Sequence, residues 1–195
     1  MGLVALTALG IGGATVIGAL IGFCFKKIDE KWNDGILGFA AGIMLAAAIL
    51  GLILPSMEQA GKSGIWMTVA GVLCGAVFLN FADKLTPHLH HLTGVKEEEH
   101  KNNAHLNKVM LFVLAIAIHN LPEGLAAGVG VGAGDMGNAL TIACGIALQN
   151  IPEGMVIISP MILSGVSKGR TFIIALTTGL VEVLGVFIGF FAAGI

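Results

Sequence analysis

The chain has 195 residues, of which 56% are hydrophobic and only 11% charged, with a formal net charge of −2. A soluble domain carries roughly a quarter charged residues. This composition therefore excludes an ordinary soluble domain and implies a polytopic membrane protein with little mass outside the bilayer. The three cysteines, Cys24, Cys74 and Cys144, are scattered through apolar runs without CxxC spacing. Neither a disulfide framework nor a zinc knuckle is supported, and buried apolar filling is their expected role.

Six apolar runs can be marked, at 3–25, 35–56, 65–82, 107–132, 138–163 and 171–194. Each is near the ~20 residues that cross the hydrocarbon as a helix. The fold class is thus an all-α transmembrane bundle forming one domain over residues 1–195. The first run lacks a basic segment ahead of it, so it is expected to remain as a span rather than be cleaved. Glycines recur at helical spacing in Gly18/Gly22, Gly38/Gly42, Gly71/Gly75 and Gly185/Gly189. Such faces let membrane helices approach closely, and dense packing accounts for them. Met44, within the second run, reads as core filler.

Between the third and fourth runs, residues 83–106 are expected to form a polar loop. It holds His88, His90, His91, His100 and His105 with the run Glu97-Glu98-Glu99. Histidine tracts bind metals, and a solvated loop of mixed charge is the equal alternative. Nine of the ten basic residues lie on the first, third and fifth connections, against Lys62 alone on the opposite side. The positive-inside bias then predicts both termini outside and the His-rich loop in the cytoplasm, in a bacterial inner or other plasma membrane.

The fourth and fifth runs carry the chemistry. His119-Asn120-Leu121-Pro122-Glu123-Gly124 recurs as Gln149-Asn150-Ile151-Pro152-Glu153-Gly154. Glu123, Glu153 and, in the sixth run, Glu182 are the only acidic residues well inside spans, and no Lys or Arg lies in a span core. Intramembrane carboxyls are costly and functional by default; they are either protonated or compensated by a cation. His119 and Glu123 share a helix face, as do Gln149 and Glu153. Pro122 and Pro152 remove the N–H groups that would bond to the carbonyls of Ile118 and Leu148, which predicts kinks lining a cavity. A lone proline is usually a kink, and a lone Asn or Gln is usually interhelical glue. The repetition, with His and Glu in register, points instead to a metal site. Imidazole, carboxylate and amide oxygen suit Zn²⁺ first, with Fe²⁺, Mn²⁺ or Cd²⁺ as alternatives. Two bridging glutamates make a binuclear site feasible.

Enzymatic readings find no footing. An intramembrane zinc protease needs H-E-x-x-H, whereas this chain has H-x-x-x-E. There is no Walker loop, G-x-S-x-G or dinucleotide fingerprint, and no sign of nucleic-acid binding. Two rival readings remain: a metal-binding membrane subunit that does not transport, and a proton relay built on the three glutamates.

The paired H-N-x-P-E-G and Q-N-x-P-E-G motifs, preceded by a His-bearing loop, resemble the ZIP (Zrt/Irt-like protein) family of divalent metal transporters. The segments Ala40-Ala41-Gly42-Ile43-Met44-Leu45-Ala46-Ala47 and Pro87-His88-Leu89-His90 look like its GufA-type bacterial branch. The resemblance implies transport of metal, zinc above all, toward the cytoplasm through a site between the fourth and fifth spans. It implies His119, Glu123, Gln149 and Glu153 as ligands of one ion. Asn120, Glu123, Asn150, Glu153 and Glu182 would be ligands of a second, with Met44 contributing from the second span. Asp34 and Glu58 stand where the family has pathway carboxylates. Such proteins typically have eight spans, the first three related by inversion to the last three. Six are expected here, so either self-association, as a homodimer, that covers the open side of the site or poor stability in detergent without metal is expected. Val183 follows Glu182 where that branch commonly has proline.

Overall fold

A computed structural model describes residues 1–25, 29–92 and 103–193. Among the described residues, six helical segments are long and apolar enough to span a membrane, close to the expected boundaries. They are α1 (Gly2–Gly22), the composite α2 (Glu30–Ala46) with α3 (Leu54–Gln59), α4 (Gly64–Leu92), α5 (Asn103–Gly132), α6 (Met136–Leu163) and α7 (Lys168–Ala192). Helices are dictated by the solvent, because in hydrocarbon each backbone N–H and C=O must be satisfied within its own segment. Gly134 and Gly165 make the tight turns between α5, α6 and α7, with φ of 81° and 84°. The following helices are capped by Asp135, which accepts from Asn138 N at 3.1 Å, and by Ser167, which accepts from Arg170 N.

Two differences from the sequence reading concern where helices run. The expected loop at 83–106 is helical at both ends, since α4 continues to Leu92 and α5 begins at Asn103. His88, His90, His91 and His105 thus lie on helices, whereas Lys26, Lys27, His100 and the run Glu97-Glu98-Glu99 lie outside the described residues. At the prolines helix continues, α5 through Pro122 and α6 through Pro152 and Pro160. The second difference lies in the second span, where Ala47–Ile53 is a π-helix joining α2 to α3. Pro55 has no N–H to direct at the Gly51 carbonyl, four residues earlier. The helix widens just ahead of that proline, and Asn138 Nδ2 of α6 donates to Gly51 O at 3.1 Å.

The core is a bundle of α1, α5, α6 and α7, in which α5 lies along α7 and α6 along α1. Glycine makes both pairings possible. A side-chain carbon added at Gly124 or Gly128 of α5 would strike the carbonyls of Glu182 or Val186 on α7, and one added at Gly154 of α6 would strike the Thr15 carbonyl on α1. Conversely, Gly185 and Gly189 of α7 lie against the carbonyls of Leu121 and Leu125, while Gly18 and Gly22 of α1 lie against those of Ile151 and Met155. Leu121 and Ile151, like Leu125 and Met155, are separated by the spacing of the two motifs. The α5–α7 pair is therefore the counterpart of the α6–α1 pair, run in the opposite direction. The pairs meet where Gly12 of α1 and Gly179 of α7 cross, each against the other's carbonyl oxygen. Such close approach is how membrane helices gain van der Waals contact without a hydrophobic driving force.

The third span stands apart from this core, whereas the second lies along α6, with Gly51 against Ile142 and Ala47 against Gly145. Gly38, Gly42, Gly71 and Gly75, expected to mark packed faces, have nothing beside them. Most of α4 is exposed, including Trp66, Leu73, Val77 and Phe81.

Candidate metal centre

The repeated motifs sit at mid-length of α5 and α6. On one side along the bundle lies an apolar cluster that includes Val4, Ile11, Ala127, Ile142 and Val186. On the other lies a cluster of Val109, Val113, Ile157 and Met161. Between them the bundle is polar: Thr15, Asn120, Gln149, Asn150, Glu153 and Glu182 are all buried.

Ligating atoms of His119, Glu123 and Glu153 lie within 4.8 Å of one another. His119 and Glu123, one helical turn apart, bring Nε2 and Oε1 to 3.2 Å. From the counterpart helix, Gln149 Nε2 donates to the same Glu123 Oε1. Met44 of α2 closes the outer edge, its Sδ 3.3 Å from His119 Nε2. The His119 side chain is 45% exposed and that of Glu123 12%, so the cluster opens at the histidine and is closed behind the glutamates.

The asparagines are anchored on backbone. Asn120 Nδ2 donates to the Thr178 carbonyl of α7 at 3.4 Å, and Asn150 Nδ2 to the Ile11 carbonyl of α1 at 3.2 Å. These are counterpart bonds: each motif asparagine reaches the partner helix one turn before the carbonyl that its motif glycine touches. Glu182 lies deeper than the His119–Glu123–Glu153 group. Its Oε1 accepts from Asn150 Nδ2 at 2.6 Å and its Oε2 from the Thr15 hydroxyl at 3.0 Å.

Five buried oxygens in this layer have no donor: Asn120 Oδ1, Glu123 Oε2, Gln149 Oε1, Asn150 Oδ1 and Glu153 Oε2. A buried acceptor without a donor is costly and rare. Here four of them come from the same positions of the two motifs and the fifth from Gln149, beside an imidazole and a thioether. That donor set fits a divalent ion of borderline softness and offers little to a substrate in need of acid–base chemistry.

The family model described as ZIP Zinc transporter matches residues 95–194. The chain is also 36% identical over 198 residues to zinc transporter GufA of Myxococcus xanthus, covering 98% of this chain and 77% of that protein. This chain belongs to the ZIP family. Zinc transporter ZIPB of Bordetella bronchiseptica is 38% identical over 188 residues, which are 90% of this chain and 58% of ZIPB. Zinc transporter ZupT of Streptococcus mutans is 34% identical over 196 residues, 95% of this chain and 73% of that one. The chain thus spans little more than half the length of ZIPB and about three quarters of the other two. ZIP proteins are membrane transporters, not enzymes.

Among the residues singled out in the sequence, the structure gathers His119, Glu123, Gln149 and Glu153, with Met44 at their edge. It sets Asn120, Asn150 and Glu182 behind them. Asp34 and Glu58, on the second span, are not among the residues that gather there. Sequence reasoning missed Thr15 and Asn138. A threonine in an apolar, glycine-rich helix carries no motif. Its proximity to Glu182 depends on the Gly12–Gly179 crossing, which joins segments at opposite ends of the chain.

Proposed function

We propose that this ZIP protein moves divalent metal, zinc first, across a plasma membrane toward the cytoplasm through the polar layer between α5 and α6. The five donor-free oxygens carry this reading, because a bound cation is the partner that would satisfy them together. His119, Glu123, Gln149 and Glu153 would hold one ion, with Met44 at its exposed edge. The free oxygens of Asn120 and Asn150, with Oε2 of Glu123 and Glu153, would serve a second. Glu182 would support that second site from behind Asn150. Fe²⁺, Mn²⁺ and Cd²⁺ suit the same donors less well or as competitors.

Transport would proceed by alternating access around this mid-span site. The α1–α5–α6–α7 bundle would act as one unit, since its glycine contacts leave no slack. The second span would act as another, making or breaking the Met44 contact with His119. The charge bias of the connections supports termini outside and the α4–α5 connection inside, and the exposed second and third spans would meet lipid or a second copy in a homodimer.

The test is zinc influx into liposomes that hold a zinc-sensitive dye and the purified protein, with calorimetry in detergent alongside. Saturable influx and binding that both vanish in Glu153→Ala are expected. Undiminished influx in that variant would overturn the reading, and binding without influx would favour a metal-binding subunit that does not transport.

A further inference from the structure

We propose that Thr15 of α1 is a positioning residue of the metal site: its hydroxyl fixes the Glu182 carboxylate, which in turn locks the Asn150 amide with its oxygen turned free. The inference deepens the transport-site reading and rests on it.

Asn150 has two N–H donors and one carbonyl acceptor. Its Nδ2 donates to the Ile11 carbonyl at 3.2 Å and to Glu182 Oε1 at 2.6 Å, which uses both donors. Each partner is an acceptor, so turning the amide over would set oxygen against oxygen twice. The amide orientation is therefore decided, and Oδ1 is left buried without a donor. The lock is only as firm as Glu182, whose other oxygen accepts from Thr15 at 3.0 Å. Thr15 and Glu182 are both fully buried. No other side chain among the described residues donates to that second oxygen.

The pairing of the two halves shows why a hydroxyl stands there. Gly124 lies against the Glu182 carbonyl and Gly154 against the Thr15 carbonyl, so Thr15 occupies on α1 the place that Glu182 occupies on α7. A carboxylate in both places would set two negative groups within hydrogen-bonding distance in a buried layer, and one would have to give up its charge. A threonine turns that conflict into a donor–acceptor pair across the crossing. It also leaves the halves unequal: Asn150 has a carboxylate to hold it, whereas Asn120 rests on the Thr178 carbonyl at 3.4 Å.

The experiment is calorimetric titration of Zn²⁺ into the purified protein in detergent, comparing wild type with Thr15→Val and Thr15→Ser. Valine keeps the shape and removes the hydroxyl; serine keeps the hydroxyl and removes the methyl. Thr15→Val is expected to weaken Zn²⁺ binding by about tenfold or more, as loss of a group that orients a ligand does, and Thr15→Ser to restore most of it. Wild-type affinity in Thr15→Val, or an equal loss in Thr15→Ser, overturns the role. Should Thr15→Val fail to fold, Glu182→Gln and Glu182→Ala decide. Glutamine can still accept from Asn150 and donate to Thr15, so it is expected to keep clearly more affinity than alanine. Equal loss in those two overturns positioning and makes Glu182 a group that acts through its charge. A wild-type protein that binds no Zn²⁺ overturns the site reading and the Thr15 role together, whereas normal wild-type binding with an indifferent Thr15→Val removes only the latter.

Discussion

The α5–α7 and α6–α1 pairs share one backbone plan and differ in chemistry. Each uses a motif asparagine to hold a partner carbonyl and a motif glycine to sit on the carbonyl one turn later. Histidine in one motif faces glutamine in the other, and glutamate on α7 faces threonine on α1. The repeated glycines and asparagines govern how closely the helices approach, and the repeated glutamates give each half a carboxylate at the same place. Histidine against glutamine and glutamate against threonine are what make the two halves chemically unequal.

The sharpest way to test that equivalence is to remove the two motif glutamates one at a time. Glu123→Ala and Glu153→Ala should each weaken Zn²⁺ binding by more than the ~100-fold upper range for a merely supporting group, as measured by calorimetry. A large loss in one and a small loss in the other would show that the halves are not functional counterparts. Next in size is packing. Gly124→Ala and Gly154→Ala should each destabilise the metal-free protein by about 1–3 kcal/mol through overpacking, seen as a lowered melting temperature in detergent. Gly42→Ala, with nothing near it, should leave stability unchanged or raise it by up to ~1 kcal/mol, since alanine is the better helix former. Equal effects at all three positions would break the distinction between the tight glycine contacts of the bundle and the open Gly42 face of the second span.

The His119–Gln149 difference predicts a difference in pH response. Protons compete with metal for an imidazole, so wild-type Zn²⁺ affinity should fall as pH is lowered. His119→Ala should weaken binding and flatten that dependence, whereas Gln149→Ala should weaken binding and leave the slope in place. Matching profiles would assign His119 to packing. The smallest effect is expected at the π-helix. Asn138→Ala removes the bond to the Gly51 carbonyl and should cost about 1 kcal/mol, with a modest loss of zinc affinity through Met44. A Gly51 amide that exchanges hydrogen at the wild-type rate in this variant would show that Asn138 does not brace the second span.

Much of the site was legible before any fold was known. Carboxylates in apolar helices demand a partner, and the motif repeat places His119 with Glu123 and Gln149 with Glu153 on single helical faces whatever the helices pack against. Pro122 and Pro152 were expected to perturb their helices through the missing N–H, and helix continues past both, so neither proline ends a span. The π-helix ahead of Pro55 shares the missing N–H as a signal, but the group that takes up the Gly51 carbonyl, Asn138, lies far along the chain and could not be read from it.

Spans, motif register and the choice of donor atoms follow from the sequence alone, because they depend on the bilayer thickness, the 3.6-residue period and the chemistry of single side chains. The tertiary structure alone decided which oxygens are left free and which are taken. That outcome depends on the crossing of α1 with α7 at Gly12 and Gly179, where Thr15 reaches Glu182 and Glu182 reaches Asn150. Hydrogen bonding is directional and short-ranged, so it can be assigned only once packing has brought distant segments within about 3 Å of each other.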